Sequence, residues 1–465
     1  MNWTEAEALV SVHLAMQAML LAWVALVVLI IRRTIAAGSV GLPAGLVLIM
    51  TALYGGAFVY AVPGYTHLRE DTRLYLIHQG FTEWMVVQGT FVSLLAILGF
   101  ALGCGAFARP RRTGYAPPVI RAQVHERSLL VLLGAVGAVS YLLHVLSVEF
   151  PLSGALIEAG RNVGTATICL GMWLAFRDRR PTLPWLLLAA LIPLYYVVVW
   201  GFTSFGFMFG LTLLAFWLAQ RPARPRGWLR TGLVTLAAVQ GFLTLFIGWF
   251  SFRDQVRATV WRGEGRPLAE ILSDALQLTE VFSPWNFYAL DIVNIRLNLT
   301  SFIGRMIEHH AANPDLKLWG ATLVILPFVL VPRFLWPGKP ERGGSEFMSE
   351  HTGTLLSTDT SFGTGSVFEF YINYGAPGVL IGFVVLGWLV RRIDRAAVRA
   401  LFTGDFLNFA RWFAVGAVAL DPLIRPFFMV NGMVMAWLLM TLLILAVGPQ
   451  YRRAPDRGSL GGRQA

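Results

Sequence analysis

Charge is scarce in this chain. Acidic and basic residues make up only 14% of its 465 residues against 56% hydrophobic ones, so the polar surface needed to wrap a soluble core of this length is missing. Cysteine is scarcer still. Cys104 and Cys169 are too few, and too deep in apolar sequence, for a disulfide framework or a metal cluster, and they suit close packing. There is no HExxH, and the eight histidines are scattered, so no metal site is expected. The stretch GTGS at 363–366 lacks the spacing and the lysine of a phosphate-binding loop and reads as a turn. No repeat of fixed period runs through the chain. The net charge of +11 is not accompanied by a basic and aromatic nucleic-acid motif, which sets nucleic-acid binding aside.

What the chain does have is long apolar runs and a mean hydropathy of +0.63. Runs of about 17 to 24 residues recur from end to end, each long enough to span a hydrocarbon core at about 1.5 Å per residue. They are continuous and do not alternate, which implies helices and not a barrel. The expected spans are 9–31, 40–62, 85–107, 128–150, 161–177, 184–200, 203–219, 231–250, 372–390, 408–420 and 427–447, making an all-α polytopic membrane protein of about eleven crossings. GFMFG at 206–210 has the small-xxx-small spacing that lets two helices approach.

Orientation follows from the arginines. Most of the 37 lysines and arginines fall in short segments on one side, such as Arg32 and Arg33, RPRR at 109–112, RDRR at 177–180, RRIDRAAVR at 391–399 and the tail after Tyr451. The positive-inside rule makes that side cytoplasmic. The first run follows an acidic flank, Glu5 and Glu7, the reverse of a signal peptide's basic start. The N-terminus is therefore expected outside and the C-terminus, with its basic tail 451–465, in the cytoplasm. If 318–335 were a further crossing, the basic segment 391–411 would end up outside. The chain thus divides into spans over 1–250, one large external insertion over 251–371, and spans over 372–450, with 318–335 a re-entrant or interfacial segment that turns back at Pro332.

Chemistry is expected in the insertion. Arg253 and Arg257 stand four apart, which places two guanidinium groups on one helix face; paired forks suit a phosphate or diphosphate, and equally suit snorkelling to lipid headgroups. The segment 286–310 reads as one apolar, partly amphipathic helix on or in the external leaflet, with Phe287, Leu290, Val293 and Leu297 near one face. Arg296 interrupts it, and a charge in so apolar a helix is expected to face a cavity or a partner charge. His309 and His310 read as a solvated helix terminus. Glu369, a few residues before the ninth span, is either a general base or the ion-pair partner of a loop arginine. Asp359 is a second carboxylate with weaker placement.

The order RLNL, an apolar run, PRFLWPGKP, a polar loop and FEFYINYGAPGVLIG, over roughly 296–387, resembles the bacterial oligosaccharide repeat-unit polymerases, the Wzy-type O-antigen and exopolysaccharide polymerases. That group is similar to the O-antigen ligases and belongs with the multi-spanning C-type glycosyltransferases. The resemblance implies undecaprenyl-diphosphate-linked oligosaccharides as substrates, no metal, nucleotide sugar or other cofactor, and residence in the bacterial inner membrane. A chain-length regulator and a flippase are the partners it suggests. It places Arg296, Arg333, Trp336, Lys339 and Glu369 in or beside an external active site. Such sequences often carry an acid before the lysine of WPxKP; here it is Gly338, which throws weight onto Glu369.

The expected reaction is an inverting transfer in which a sugar hydroxyl of one lipid-linked unit attacks the anomeric carbon of a glycan on another. Arg253, Arg257, Arg296, Arg333 and Lys339 would hold the diphosphate, Glu369 or Asp359 would act as base, and Trp336 would meet a sugar ring or anchor the interface. A ligase would use the same cleft. A flippase would need charges lining a cavity within the spans, and most spans lack them.

Overall fold

A computed structural model of the chain describes residues 3–66, 80–108, 126–145, 153–200, 204–220, 228–263, 269–271, 273–274, 281–331, 335–339, 344–355 and 365–451, together with the single positions 267 and 363. Every regular element among them is helical. Helices stand at all the expected spans: α1 (Trp3–Ala36), α2 (Leu42–Tyr54, continued by a 3-10 segment Gly55–Ala61), α3 (Glu83–Gly103), α4 (Glu126–Val145), α5 (Ser153–Arg177), α6 (Leu183–Trp200), α7 (Ser204–Ala219) and α8 (Trp228–Arg262). The insertion supplies α9 (Phe287–Leu297), α10 (Thr300–Ala312), the single turn α11 (Ala321–Val324) and α12 (Ser345–Thr352). The chain closes with α13 (Gly365–Thr403), α14 (Phe406–Val418) and α15 (Pro426–Tyr451). Six of these segments are long and apolar enough to cross a membrane: α1 from Leu9, α2 with its 3-10 extension, α3, α4, α13 and α15. This is the architecture of a helical membrane protein.

Glycine decides how closely the central helices meet. A Cβ at Gly99 or Gly103 of α3 would run into the carbonyls of Leu380 and Val384 on α13, so these two helices lie backbone against backbone and run parallel. At the other end of α3 the same device receives α10: a Cβ at Gly89 would meet the carbonyl of Thr300, and one at Gly304 the carbonyl of Met85. Gly304→Val is therefore expected to cost about 1–3 kcal/mol through overpacking and to free α10, read as a lower melting temperature of the detergent-solubilised protein. A change to alanine at exposed Gly154 of α5, where nothing lies within 4 Å and the backbone is helical, is the control.

The segment 286–310 is two helices, which corrects the single amphipathic helix expected from its apolar pattern. Asn298 breaks it: its Oδ1 accepts from the Thr300 amide and hydroxyl, and its Nδ2 donates to Asn294 Oδ1 at 2.6 Å. The Leu299 amide donates to the carbonyl of Leu53, tying the junction to the end of α2. An asparagine that offers the backbone a local partner competes with helix continuation. Nor does α9 lie on lipid with its apolar face. Leu290, Val293 and Leu297 are buried in a second core with Val59, Tyr60 and Tyr65. Asp291 is buried there too and accepts from the Tyr65 hydroxyl at 2.7 Å, while Asn294 donates to Tyr60 and Tyr65.

The run 318–335 is not one helix either. Trp319 and Gly320 take left-handed backbone angles, α11 lasts one turn, and a 3-10 turn Leu326–Leu330 contains Pro327. Both pieces pack on α15, and α11 also on α13. The α11 segment meets α13 where that helix is itself broken, at Gly375 (φ 66°, ψ −159°), two residues before Pro377. The polar groups released there are satisfied by the neighbouring segment. The Leu318 amide donates to the Ile372 carbonyl at 3.0 Å, and Asn373 accepts from the Gly320 amide and donates to Thr322 Oγ1. Irregular backbone deep in a membrane protein survives only where protein or a wet cavity meets its hydrogen-bonding needs.

Two ends of the bundle can be told apart by contact. The Trp173 ring of α5 packs on Phe402 and Phe406, so the C-terminal ends of α5 and α13 share one end and Glu369 lies toward the other. The Asp394 end is closed by a buried carboxylate, which accepts from Ser39 Oγ at 2.6 Å and from the Leu42 amide at 3.3 Å.

Candidate functional site

The first half of α13 is stitched to the loop before α15. The Ser366 amide donates to the Pro422 carbonyl and its hydroxyl to that of Ile424. Gly365, at φ 76°, is needed because a Cβ there would strike the Pro422 carbonyl. This seam sets Glu369, one turn into the helix, against Arg425. Arg425 Nε donates to Glu369 Oε2 at 2.5 Å, with the carboxylate wholly buried and the guanidinium nearly so. The guanidinium also lies 4.1 Å from the centre of the Phe347 ring, a desolvated cation–π contact.

Phe347 belongs to α12, and one turn later the same face carries His351, 1% exposed. Its ring stands edge-on to Phe347 at 4.6 Å and to Phe368 at 6.3 Å. His310, from the last turn of α10, stacks on it at 5.2 Å, and His310 Nε2 is 3.1 Å from His351 Nδ1. One of these two nitrogens must therefore carry a proton and the other accept it. Burial, with the nearby charge of Arg425, pushes His351 down to about 4; burial, with His351, His309 and Lys317 around it, does the same to His310. Both rings are neutral at physiological pH. Arg305 secures α10 beside this cluster by donating to the carbonyls of Gly80 and Thr352.

Two polar atoms in this cluster are buried without a hydrogen-bond partner: Glu369 Oε1 and His351 Nε2. Buried polar atoms are nearly always satisfied, so an open carboxylate oxygen and an open imidazole nitrogen, which accepts when His351 Nδ1 donates to His310 Nε2, suit the hydroxyl groups of a guest beside one locked guanidinium. Neither a family model, nor a curated protein, nor a solved structure matches the chain. The site's own chemistry therefore carries the argument.

The residues expected from sequence divide into three groups. Glu369 is central. Trp336 and Lys339 reach the same helix end: Trp336 stands edge-on to Phe427 at 6.3 Å, and the Lys339 ammonium lies over that ring at 5.6 Å while donating to the carbonyls of Val329 and Val331 at 2.8 and 2.9 Å. The WPGK turn is thus clasped to the start of α15, two residues from Arg425. Its lysine is bound up in holding the turn, which is a structural use where a diphosphate contact was expected.

Among the described residues no contact joins the second group to this cluster. Arg253 of α8 and Arg296 of α9 converge on Phe250, a ring of α8 itself, with their guanidinium carbons 5.2 and 4.7 Å from its centre. Arg296 is exposed and its guanidinium stacks on an aromatic ring, at a position in the sequence where a cavity or a partner charge was expected. For the third group, Arg333 and Asp359 lie outside the described residues, and so does the side chain of Arg257, although its backbone continues α8.

Sequence reasoning missed Arg425, His351 and His310. His310 is a correction: it is half-buried against His351, not a solvated terminus, because α12 folds over the end of α10. Arg425 sits in a short loop between two spans and reads as a topology charge. An arginine directly before a proline-started apolar helix was the available signal, since a charge at that position must find a partner or water.

Proposed function

We propose that this chain polymerises lipid-linked oligosaccharide repeat units, and that the Glu369–Arg425–His351 cluster is its transfer site. The reading rests on the resemblance of 296–387 to repeat-unit polymerases, and one observation supports it above others. Three separate stretches of that region, the FEFYIN half-helix, α12 and α10, bring two open buried polar atoms together with Arg425, and the WPGK turn is clasped to Phe427 two residues from that arginine. On this reading the helices make about eleven crossings, and the Glu369 end faces outward in the bacterial inner membrane.

The sugar hydroxyl of the acceptor unit donates to His351 Nε2 while Glu369 Oε1 accepts from a neighbouring hydroxyl and fixes the ring. The hydroxyl oxygen bonds to the donor's anomeric carbon, the bond to the diphosphate breaks, and the lipid diphosphate departs with the electron pair. The proton passes to His351 and, through its Nδ1, to His310 at the site's more open side. Charge developing on the departing diphosphate is met at the cluster by the Arg425 guanidinium. Arg253 and Arg296, gathered on Phe250, offer forks to the diphosphate of the second lipid-linked unit.

The test is the size distribution of lipid-linked and surface glycan in a strain lacking the chain. Single repeat units at the outer surface, with longer rungs restored by complementation, are expected. Long polymer accumulating on undecaprenyl diphosphate would make the chain a ligase, and units trapped on the cytoplasmic face would make it a flippase; either result overturns the assignment.

A further inference from the structure

A second charged cluster lies away from Glu369, on helices whose outward faces are apolar. Arg161 stands near the start of α5 in the run AGRNVGTATICLG. Small residues allow α4 and α5 to touch: a Cβ at Gly137 would meet the backbone of Gly164, and one at Gly160 would meet Ser140. This antiparallel crossing carries His144, at the end of α4, opposite Arg161. Helix α6 also runs antiparallel to α5, with Trp185 on Gly171 at one end and Tyr196 beside Arg161 at the other.

Arg161 Nη1 donates to the Tyr196 hydroxyl at 2.9 Å and approaches His144 Nδ1 at 3.4 Å; the guanidinium lies 6.0 Å from the centre of the Tyr196 ring. His144 Nδ1 is 3.0 Å from the Tyr195 hydroxyl, and the rings of Tyr141, Tyr195 and Tyr196 meet edge to face. Because a guanidinium only donates, Nδ1 accepts and the His144 proton sits on Nε2. Arg161 Nε is buried and has no hydrogen-bond partner. Glu158, one turn earlier, is close enough to act on His144 and Tyr196 and offsets part of the charge, but it leaves this N–H open. The cluster thus presents an open donor, Arg161 Nε–H, beside the tyrosine hydroxyls and the His144 ring. Around it Val139, Leu142, Leu156, Leu191 and Leu194 are exposed, as a lipid-facing surface would be.

A group rich in donors, set in an apolar surface, fits a ligand that only accepts hydrogen bonds and carries an apolar tail. We propose that the Arg161 cluster binds the phosphoryl headgroup of a membrane lipid at the Glu369 end of the bundle. A guanidinium fork matches phosphate oxygens, and an anion there completes a charge that is otherwise costly at membrane depth. Both a bulk anionic phospholipid and a polyprenyl phosphate carry this headgroup chemistry. The inference goes beyond the polymerase reading and does not depend on it.

The experiment is native mass spectrometry of the full-length, delipidated protein titrated separately with dioleoyl phosphatidylglycerol and with undecaprenyl phosphate. The parent protein is expected to retain one lipid more tightly than the rest, and Arg161→Gln to hold that lipid about tenfold more weakly. Tyr196→Phe and His144→Leu, which keep the charge, are expected to weaken it less. Loss of both lipids' tight binding assigns a general phospholipid site; loss for undecaprenyl phosphate alone assigns a carrier site. If Arg161→Gln fails to fold, the other two variants decide. Equal occupancy in every folded variant and the parent overturns the proposal. Because binding is read directly, a failure here is distinct from a failure of the polymerase assignment, which is read from glycan length.

Discussion

Glu369→Ala is expected to destabilise the protein by about 3–5 kcal/mol, because removing one partner of a buried pair strands the other's charge. Arg425 would be left over the Phe347 ring, almost wholly out of solvent, with no other anion paired to it among the described residues. Arg425→Ala should cost a similar amount from the other side. A double variant, Glu369→Leu with Arg425→Met, is expected to recover most of that stability, since well-packed apolar side chains often replace a buried ion pair at little cost. It should still make no polymer. Thermal unfolding in detergent and the glycan ladder separate the two outcomes. Single variants that melt with the parent would show that the pair is not buried as described, and a double variant that polymerises would remove Glu369 from the transfer site.

Such a result would also show where sequence and structure part. Apolar runs made the helical class legible, and helices stand where they fall, six of them long and apolar enough to cross a membrane, because a lipid-facing helix writes its requirement into every residue it contains. The expected span 372–390 runs straight through the break in α13 at Gly375, and only the structure shows that Leu318 and Gly320 come from the insertion to satisfy it. The break at Asn298 was hidden, since the apolar period of 286–310 runs straight through it; a single side-chain contact to Thr300 outweighs local pattern. The site was legible only in part. Glu369 announced itself as a carboxylate at the edge of a span. Its partners could not, because Arg425 lies 56 positions away and His351 meets His310 across 41. Spacing along a chain carries no signal for contacts made by helices folding back on one another.

His351→Gln is the variant that tests catalysis apart from stability. The replacement keeps a polar group of similar reach next to His310 but removes the imidazole that would take and pass on a proton. Transfer is expected to fall by about 10²- to 10⁴-fold, the usual worth of a general base, with little change in melting temperature. His310→Gln should fall less, since it removes the relay but not the first acceptor. The pH dependence gives a second reading. With both rings pushed down to about 4 by burial and neighbouring positive charge, the base form persists well below the ordinary histidine value of about 6.5. Transfer in vesicles loaded with lipid-linked units should therefore hold from pH 8 to about 5 and fail only as the pH approaches 4. Stability has the same sign. The unfolded chain takes up protons near 6.5 that the native rings refuse, so the contribution is present above 6.5 and is lost as pH falls toward 4. A transfer rate that halves near pH 6.5, or a His351→Gln ladder identical to the parent's, would exclude this histidine as the base and return the role to Glu369.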